Sequence, residues 1–260
     1  MSHRAVVKHL PAGTCLGAGA FGSVHIEHVG GVQMAVKRVN GAVRSSTRAY
    51  ARREAALLQR LRHDNIVAFH HFEERETLSL LSMEYCAAGD LHSYIHDVPD
   101  EHKRSSDLCR MAAELLCAVH HCHYGMGPHY LLHGDIKPSN VLIAADGTVK
   151  LADFGLSRLK IGGHLERWNF VGTPGYTAPE ILRRLPYGPA SDVWSFGCTL
   201  MLFQEVPALS TRTKQGLLKD PFYKEALALL SSDCTDLIES ATRAHVGRSI
   251  ACMAGPNKPF

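Results

Sequence analysis

Apolar and polar positions alternate with two different periods along this chain, and the change of period divides it. In the first third the runs are strand-like. Ser23-Val24-His25-Ile26-Glu27 and Gln33-Met34-Ala35-Val36-Lys37 alternate or run apolar on either side of Gly30-Gly31, which predicts a hairpin. Phe69–Phe72 and Thr77–Met83 read as two more strands around the acidic turn Glu73-Glu74-Arg75-Glu76. Between these pairs, Tyr50–Leu61 is rich in helix formers, with apolar residues recurring at Ala51, Ala55, Leu58 and Leu61. Further on, Leu91–Asp97 and Leu108–Tyr124 predict helices separated by a charged, Pro-containing loop over 98–106, and Gly125-Met126-Gly127-Pro128 ends the second. Val141-Leu142-Ile143 and Val149-Lys150-Leu151 predict a short hairpin on Asp146-Gly147, a dipeptide that accepts positive φ. Residues 156–171 show no clear period.

The short hairpin carries chemistry at both ends. Asn140 enters it and Asp153 leaves it, so two strands of equal length bring an amide and a carboxylate side by side. That oxygen pair suits a hard cation such as Mg²⁺, which keeps several waters and borrows phosphate ligands. Asp135, five residues before Asn140, sits on the entering loop and is expected to be free to take a proton.

Leu16-Gly17-Ala18-Gly19-Ala20-Phe21-Gly22-Ser23-Val24 contains a G-x-G-x-x-G run. A dinucleotide fold would open a helix inside such a run and place an acidic residue about 20 positions on. Strands flank the glycines here, so the backbone is expected to lie over a triphosphate instead. Lys37 is a lone cation in an apolar strand, where the ordinary role is an edge residue in solvent. Glu54 shares the apolar face of its helix with Ala51 and Leu58. A solvated helix glutamate is the commoner case, and a partner for Lys37 the alternative.

Composition narrows the field only modestly. A formal charge of +3 over 260 residues argues against a nucleic-acid partner. Eight cysteines in mostly apolar contexts, without a tight framework, point to a reducing compartment. Cys117, His120, Cys122 and His123 cluster in sequence, but no C-x-x-C pair occurs and buried thiols on a helix explain them. Met1–Lys8 lacks the apolar stretch of a secretory signal, residues 1–9 read as a short flexible leader, and no apolar run approaches a membrane span. These features predict a cytoplasmic protein, with the nucleus as the alternative, and no membrane partner.

Taken together, the motifs resemble the eukaryotic protein kinases of the serine/threonine type. H-G-D-I-K-P-S-N at 133–140 followed by Asp153-Phe154-Gly155 is similar to the catalytic loop and metal-binding turn of that family, with Gly134 where the family carries Arg. Gly172-Thr173-Pro174-Gly175-Tyr176-Thr177-Ala178-Pro179-Glu180 resembles the family's peptide-facing loop, and Lys137 is of the serine/threonine type. His63-Asp64-Asn65-Ile66-Val67 and the Ser191–Met201 helix also match. The resemblance spans about residues 10–260. It implies an α+β fold of two lobes: a small, mainly antiparallel β lobe at 10–84, a hinge at 84–90 and a larger helical lobe at 91–260.

The resemblance also implies roles. ATP would lie against Leu16, Gly17, Ala18, Gly19, Ala20, Phe21, Gly22, Ser23, Val24, Ala35, Lys37, Met83, Leu142 and backbone groups of Glu84 and Cys86. Asp90 would either meet the ribose or a basic substrate residue, or simply cap the next helix. Mg²⁺ would be held by Asn140 and Asp153. Asp135 would be the catalytic base, Lys137 would neutralise the moving phosphoryl group, and Lys37 would be held by Glu54. Thr173 would bridge Asp135 and Lys137 in a substrate loop that includes Thr177. Asp192 would hold the catalytic loop, and Glu180 would pair with Arg248.

Two absences agree with one another. Gly134 removes the Arg that a phosphate on the activation segment usually neutralises, and Trp168-Asn169-Phe170-Val171 offers no hydroxyl where that phosphate usually sits. Ser157 and Thr173 are the remaining acceptors before Thr177. Activity without activation-segment phosphorylation is therefore expected, on a protein substrate with a Ser or Thr acceptor. A nucleotide-binding pseudokinase scaffold and a small-molecule kinase are the rivals. The D-I-K-P-S-N run resembles NIMA-related kinases and G-T-P-G-Y the calcium/calmodulin type, leaving the subfamily open.

Overall fold

The computed structural model describes residues 10–19, 22–40, 45–97, 101–161 and 172–201. Five antiparallel strands form the first sheet: β1 (Cys15–Gly19), β2 (Gly22–Val29), β3 (Val32–Asn40), β4 (Phe69–Glu74) and β5 (Leu78–Glu84). Their order is β1-β2-β3-β5-β4, so β3 is central and has neighbours on both edges. Register sets Ala35 opposite Met83 and Lys37 opposite both Val24 and Leu81. Helix α1 (Ser45–Arg60) packs Ala51, Ala55 and Leu58 inward against this sheet. Its apolar spacing and its buried face coincide, as burial of one helix stripe requires.

Beyond β5 the chain becomes mainly helical, with α2 (Leu91–Asp97), α3 (Glu101–Tyr124), α4 (Pro179–Leu182) and α5 (Ala190–Met201). The sequence put residues 98–106 in a loop, but α3 already begins at Glu101. The charged stretch Glu101–Asp107 lacks apolar periodicity, which hid those two turns. Gly125 closes α3 by donating its N–H to the His121 carbonyl at 2.7 Å.

Two further strands had no sequence signal. β6 (His129–Leu132) pairs antiparallel with β9 (Arg158–Ile161), Leu131 facing Leu159. Both are four residues long, too short for a two-residue period to stand out. The segment after Gly125 leads directly into this ribbon.

The short hairpin is β7 (Val141–Ile143) and β8 (Val149–Leu151). Its turn departs from the expectation: Gly147 alone has positive φ (+88°), and Asp146 instead accepts the Thr148 N–H at 2.9 Å. α3 grips the turn, because Arg110 donates to the Gly147 carbonyl and Glu114 accepts the Val149 N–H. On its other side the loop after α1 docks on β8 through Leu151 N–Asn65 O (2.8 Å) and Val67 N–Leu151 O (3.0 Å). One hydrophobic core joins α1, the sheet, α3 and this hairpin, including Leu58, Leu81, Leu115, Ile143, Leu151 and Phe154. A smaller one gathers Leu132, Ala178, Ile181, Tyr187, Trp194 and Cys198 around α5.

The connection from Glu84 to Asp90 is tied at both ends. Glu84 N donates to Ala68 O (2.9 Å), while Ala88 N donates to Ile143 O and Gly89 O accepts from Ile143 N. Among the described residues no helix is long and apolar enough to cross a membrane. The leader 1–9, the 162–171 stretch with Trp168–Val171, the 210–223 region and Arg248 lie outside the described residues.

Candidate active site

The site forms where β3, α1, the β7–β8 hairpin and the loop before α4 converge. Lys37 points inward from the central strand and is 7% exposed. Its Nζ donates to Glu54 Oε1 and Oε2 and to Asp153 Oδ1, each at 2.8 Å. One ammonium therefore serves two carboxylates. Burial would lower the Lys37 pKa, but Glu54 and Asp153 outweigh it and hold the ammonium above its ordinary value. The carboxylates divide by depth. Burial would raise Asp153, yet Lys37 holds it below the usual range, and its side chain keeps 44% exposure. Glu54, with 4% exposure, is pushed up by its burial against the pull of Lys37.

Asp153 reaches this position in a left-handed backbone conformation, φ +61° and ψ +75°. A non-glycine residue held there is strained by about 1–3 kcal/mol. Phe154 anchors the turn: it is 1% exposed and meets the His133 ring edge-on at 4.8 Å.

Asp135 is not free. Its Oδ1 accepts from Thr173 Oγ1 at 2.6 Å, and its Oδ2 from Asn140 Nδ2 (3.1 Å) and Lys137 Nζ (2.8 Å). A carboxylate offers about four acceptor positions, so one remains, on Oδ1. The contacts of Thr173 and Lys137 are those the resemblance implied, and the Asn140 amide is the addition. Lys137 also donates to Thr173 Oγ1 at 2.8 Å, making Thr173 the bridge between them. Thr177, in the same loop, supports it from within. It is 3% exposed, and its hydroxyl donates to the Thr173 carbonyl at 2.8 Å. It props the loop from behind.

Asn140 donates its Nδ2 to the Asp135 carbonyl (2.8 Å) as well as to the side chain. With the amide nitrogen spent, Oδ1 is left, without a donor among the described residues, at the same end of the hairpin as the Asp153 carboxylate. Ala152 N–Asn140 O (2.9 Å) holds the two ends together. One amide oxygen and one half-exposed carboxylate fit Mg²⁺ as a ligand pair.

The catalytic loop hangs from one buried carboxylate. Asp192, in the first turn of α5 and 1% exposed, accepts from His133 N (2.8 Å), Gly134 N (2.9 Å) and His123 Nε2 (2.9 Å). Burial would raise this carboxyl, but the hydrogen bond and charge of His123, with the Gly134 N–H, pull it below its ordinary value. Sequence reasoning missed His123. Its only signal was its place in the inward stripe of α3, four residues after Val119. Gly134 has φ +79°, a conformation costing a side-chain-bearing residue about 1–2 kcal/mol. A Cβ there would sit 3.4 Å from the Leu156 carbonyl oxygen.

The glycine-rich strands border the same cleft. β1 and β2 pair through Gly17–Val24, Ala18–Ser23 and Gly19–Gly22, with Ala20 and Phe21 outside the described residues. Gly22 is obligatory, since a Cβ would come within 2.1 Å of the Arg38 carbonyl oxygen. Ala35, Met83 and Cys86 are buried, and Val24 and Leu142 pack against them, giving the cleft an apolar wall between sheet and hairpin. Leu16 is exposed at its edge. The Glu84 N–H is already committed to Ala68, so only its carbonyl can serve an adenine. Asp90 caps α2, accepting from Ser93 N at 2.7 Å.

Burial raises the Cys86 thiol to about 12 and likewise raises Cys122 and Cys198. Thiolates are the reactive form. Iodoacetamide near pH 8 should therefore label exposed Cys15 and spare these three, as peptide mass mapping will show.

A model described as "Protein kinase domain" matches residues 12–252. The chain is 33% identical over 208 residues to the "G2-specific protein kinase fin1" of Schizosaccharomyces pombe, covering 72% of this chain and 29% of that protein. It is 32% identical over 223 residues to the "G2-specific protein kinase nimA" of Emericella nidulans, covering 74% and 32%. It is 35% identical over 187 residues to the "Serine/threonine-protein kinase Nek3" of Mus musculus, covering 71% and 35%. The chain thus spans about a third of the length of these relatives. The antiparallel sheet and the helices accord with that match, and the chain belongs to the protein kinase domain family.

Proposed function

We propose that this chain is a serine/threonine protein kinase that transfers the γ-phosphate of ATP to Ser or Thr hydroxyls of protein substrates. The observation that carries this reading is the Asp135 carboxylate, with one acceptor position left and Lys137 and Thr173 fixed around it. NIMA- and Nek-type relatives support the same class.

Phosphoryl transfer needs positioning and charge neutralisation more than covalent chemistry. Asp135 orients the attacking hydroxyl and takes its proton on Oδ1. Lys137 offsets charge on the phosphoryl group in transit. Lys37, kept charged and aimed by Glu54, binds the α- and β-phosphates. Asn140 and Asp153 would hold Mg²⁺, which supplies charge neutralisation on the triphosphate. Adenine stacks on the wall of Ala35, Met83, Val24 and Leu142, with backbone groups of Glu84 and Cys86 at its edge. Asp90 is spent as a helix cap in part, leaving its second oxygen for ribose or a basic substrate residue.

We also infer that turnover needs no phosphate on the activation segment. Gly134 removes the Arg such a phosphate would neutralise, and residues 158–172 contain no Ser, Thr or Tyr. Ser157 is 2% exposed and donates to the His133 carbonyl. The Thr173 hydroxyl is engaged with Asp135 and Lys137. Protein treated with phosphatase and verified by intact mass should phosphorylate a peptide at the untreated rate. A loss of ~10-fold or more, restored with a phosphate on 156–177, would overturn the inference.

A further inference from the structure

The loop that follows α1 fastens the two halves of the cleft together. Its Asn65 carbonyl accepts from Leu151 N (2.8 Å), its Val67 N–H donates to Leu151 O (3.0 Å), and Asn65 Nδ2 donates to Val149 O (3.1 Å). Through β8 these bonds fix α1, which carries Glu54, relative to the hairpin end that carries Asp153. The loop keeps its own shape through His63, whose Nδ1 accepts the Asn65 N–H at 3.0 Å. Nδ1 is therefore unprotonated, and the proton of the neutral ring sits on Nε2.

A second ring lies against the first. His121, in the last turn of α3, has its ring centroid 4.9 Å from that of His63, with the planes tilted by 34°. Both residues are half-buried. Gly125 makes room for the contact, since a Cβ there would stand 2.5 Å from His121 Nδ1. A proton added to this pair does two things. On His63 Nδ1 it removes the lone pair that holds the Asn65 N–H. Once one ring is charged, a proton on the other sets two like charges at that separation.

The surroundings mostly oppose such a charge. On α3, His120 precedes His121 and its ring meets that of Tyr124 at 4.8 Å. Arg62 from the end of α1, His70 from β4 and Lys150 from β8 border the groove beside His63, and Lys150 is offset by Glu84. Asp64, the one carboxylate lining that groove among the described residues, favours the charge, but it is exposed and screened by solvent. Burial, and then His120, hold the His121 ring below its ordinary value. A histidine lowered in this way contributes stability that is full above its unfolded value of about 6.5. The contribution is lost as pH falls through that value towards the lower folded one.

We infer that His63 and His121 form an acid-sensitive joint, in which protonation of the pair loosens the 63–67 loop from β8 and with it the alignment of Glu54 and Asp153. The joint is separate from the reacting groups, and the inference does not rest on phosphoryl transfer.

Hydrogen exchange on the full chain tests it, with each rate corrected for the intrinsic effect of pH. From about pH 7.5 to about pH 5.5, protection of the Val67 and Leu151 amides should fall ~10-fold or more, while the β2–β3 amides change by less than ~3-fold. His63→Asn keeps an acceptor for the Asn65 N–H, because an Asn side-chain oxygen takes the N–H two residues on. It should hold the loop at pH 7.5 and reduce the fall to ~3-fold or less. His121→Gln, which removes the second titrating ring, should do the same, and the double variant should show no fall. A fall that survives in the double variant, an equal fall across β2–β3, or full protection of the wild type at pH 5.5 would overturn the inference.

Discussion

Lys37→Met should lower the rate of peptide phosphorylation by roughly 10²–10³-fold, the loss that follows removal of one preorganised charge from a reacting centre. The second consequence is less obvious. Glu54, 4% exposed, loses its cation and keeps Asp153 as a neighbour. Burial already raises this carboxyl, and without Lys37 it rises further. A group whose pKa is raised on folding stabilises fully below its unfolded value, about 4.3 for Glu, and loses that contribution as pH climbs through the folded value. Relative to wild type, the variant's thermal midpoint should therefore fall as pH rises above about 4.3. Adding Glu54→Gln should remove that pH dependence without restoring transfer. A Lys37→Met midpoint that tracks wild type at every pH would show that the pair is not electrostatically coupled.

Asp192→Ala should be the most damaging single change to stability. It strands the N–H groups of His133 and Gly134 and the His123 ring in a site with 1% exposure. Breaking one such buried charged network costs about 3–5 kcal/mol, on the order of 10 °C in a domain of this size. Asp192→Asn separates charge from shape. The wild-type carboxyl lies below its ordinary value, so its ionic contribution is present above the unfolded pKa of about 3.9 and disappears as pH falls through the lower folded value. The gap between wild type and Asp192→Asn should narrow below about pH 4. Denaturant unfolding across that range reads it directly. A gap that widens on acidification would contradict the assigned role of the carboxylate.

How far the sequence reaches depends on the range of the interaction that fixes each residue. The hairpin ends at Asn140 and Asp153 were legible because equal strand lengths determine which residues meet. The contact between Lys37 and Glu54 was legible through the series of motifs that resembles the kinase family, because the local pattern alone leaves an edge lysine and a solvated glutamate as the commoner case. The surroundings of Asp135 came from two segments: the Thr173 bridge to Lys137 was implied by the resemblance, while the Asn140 amide on its Oδ2 has no local period to announce it. Thr177 belongs to the loop the resemblance implied, and only the folded chain shows its hydroxyl donating to the Thr173 carbonyl. The β6–β9 ribbon was hidden by its shortness, and the first turns of α3 by their charge. His123 lay in a run of histidines and cysteines whose roles separate only once α5 is packed against α3.

The most direct test of the kinase reading is phosphate transfer from ATP and Mg²⁺ to a mixed serine/threonine peptide library, with Asp135→Asn as the control. The account predicts Ser/Thr phosphorylation by the wild type and a loss of roughly 10²–10⁴-fold in the variant, the range for removal of a general base. Nucleotide binding seen as a thermal shift, with no transfer by the wild type, would contradict it. The Lys37–Glu54–Asp153 cluster would then belong to a nucleotide-binding scaffold.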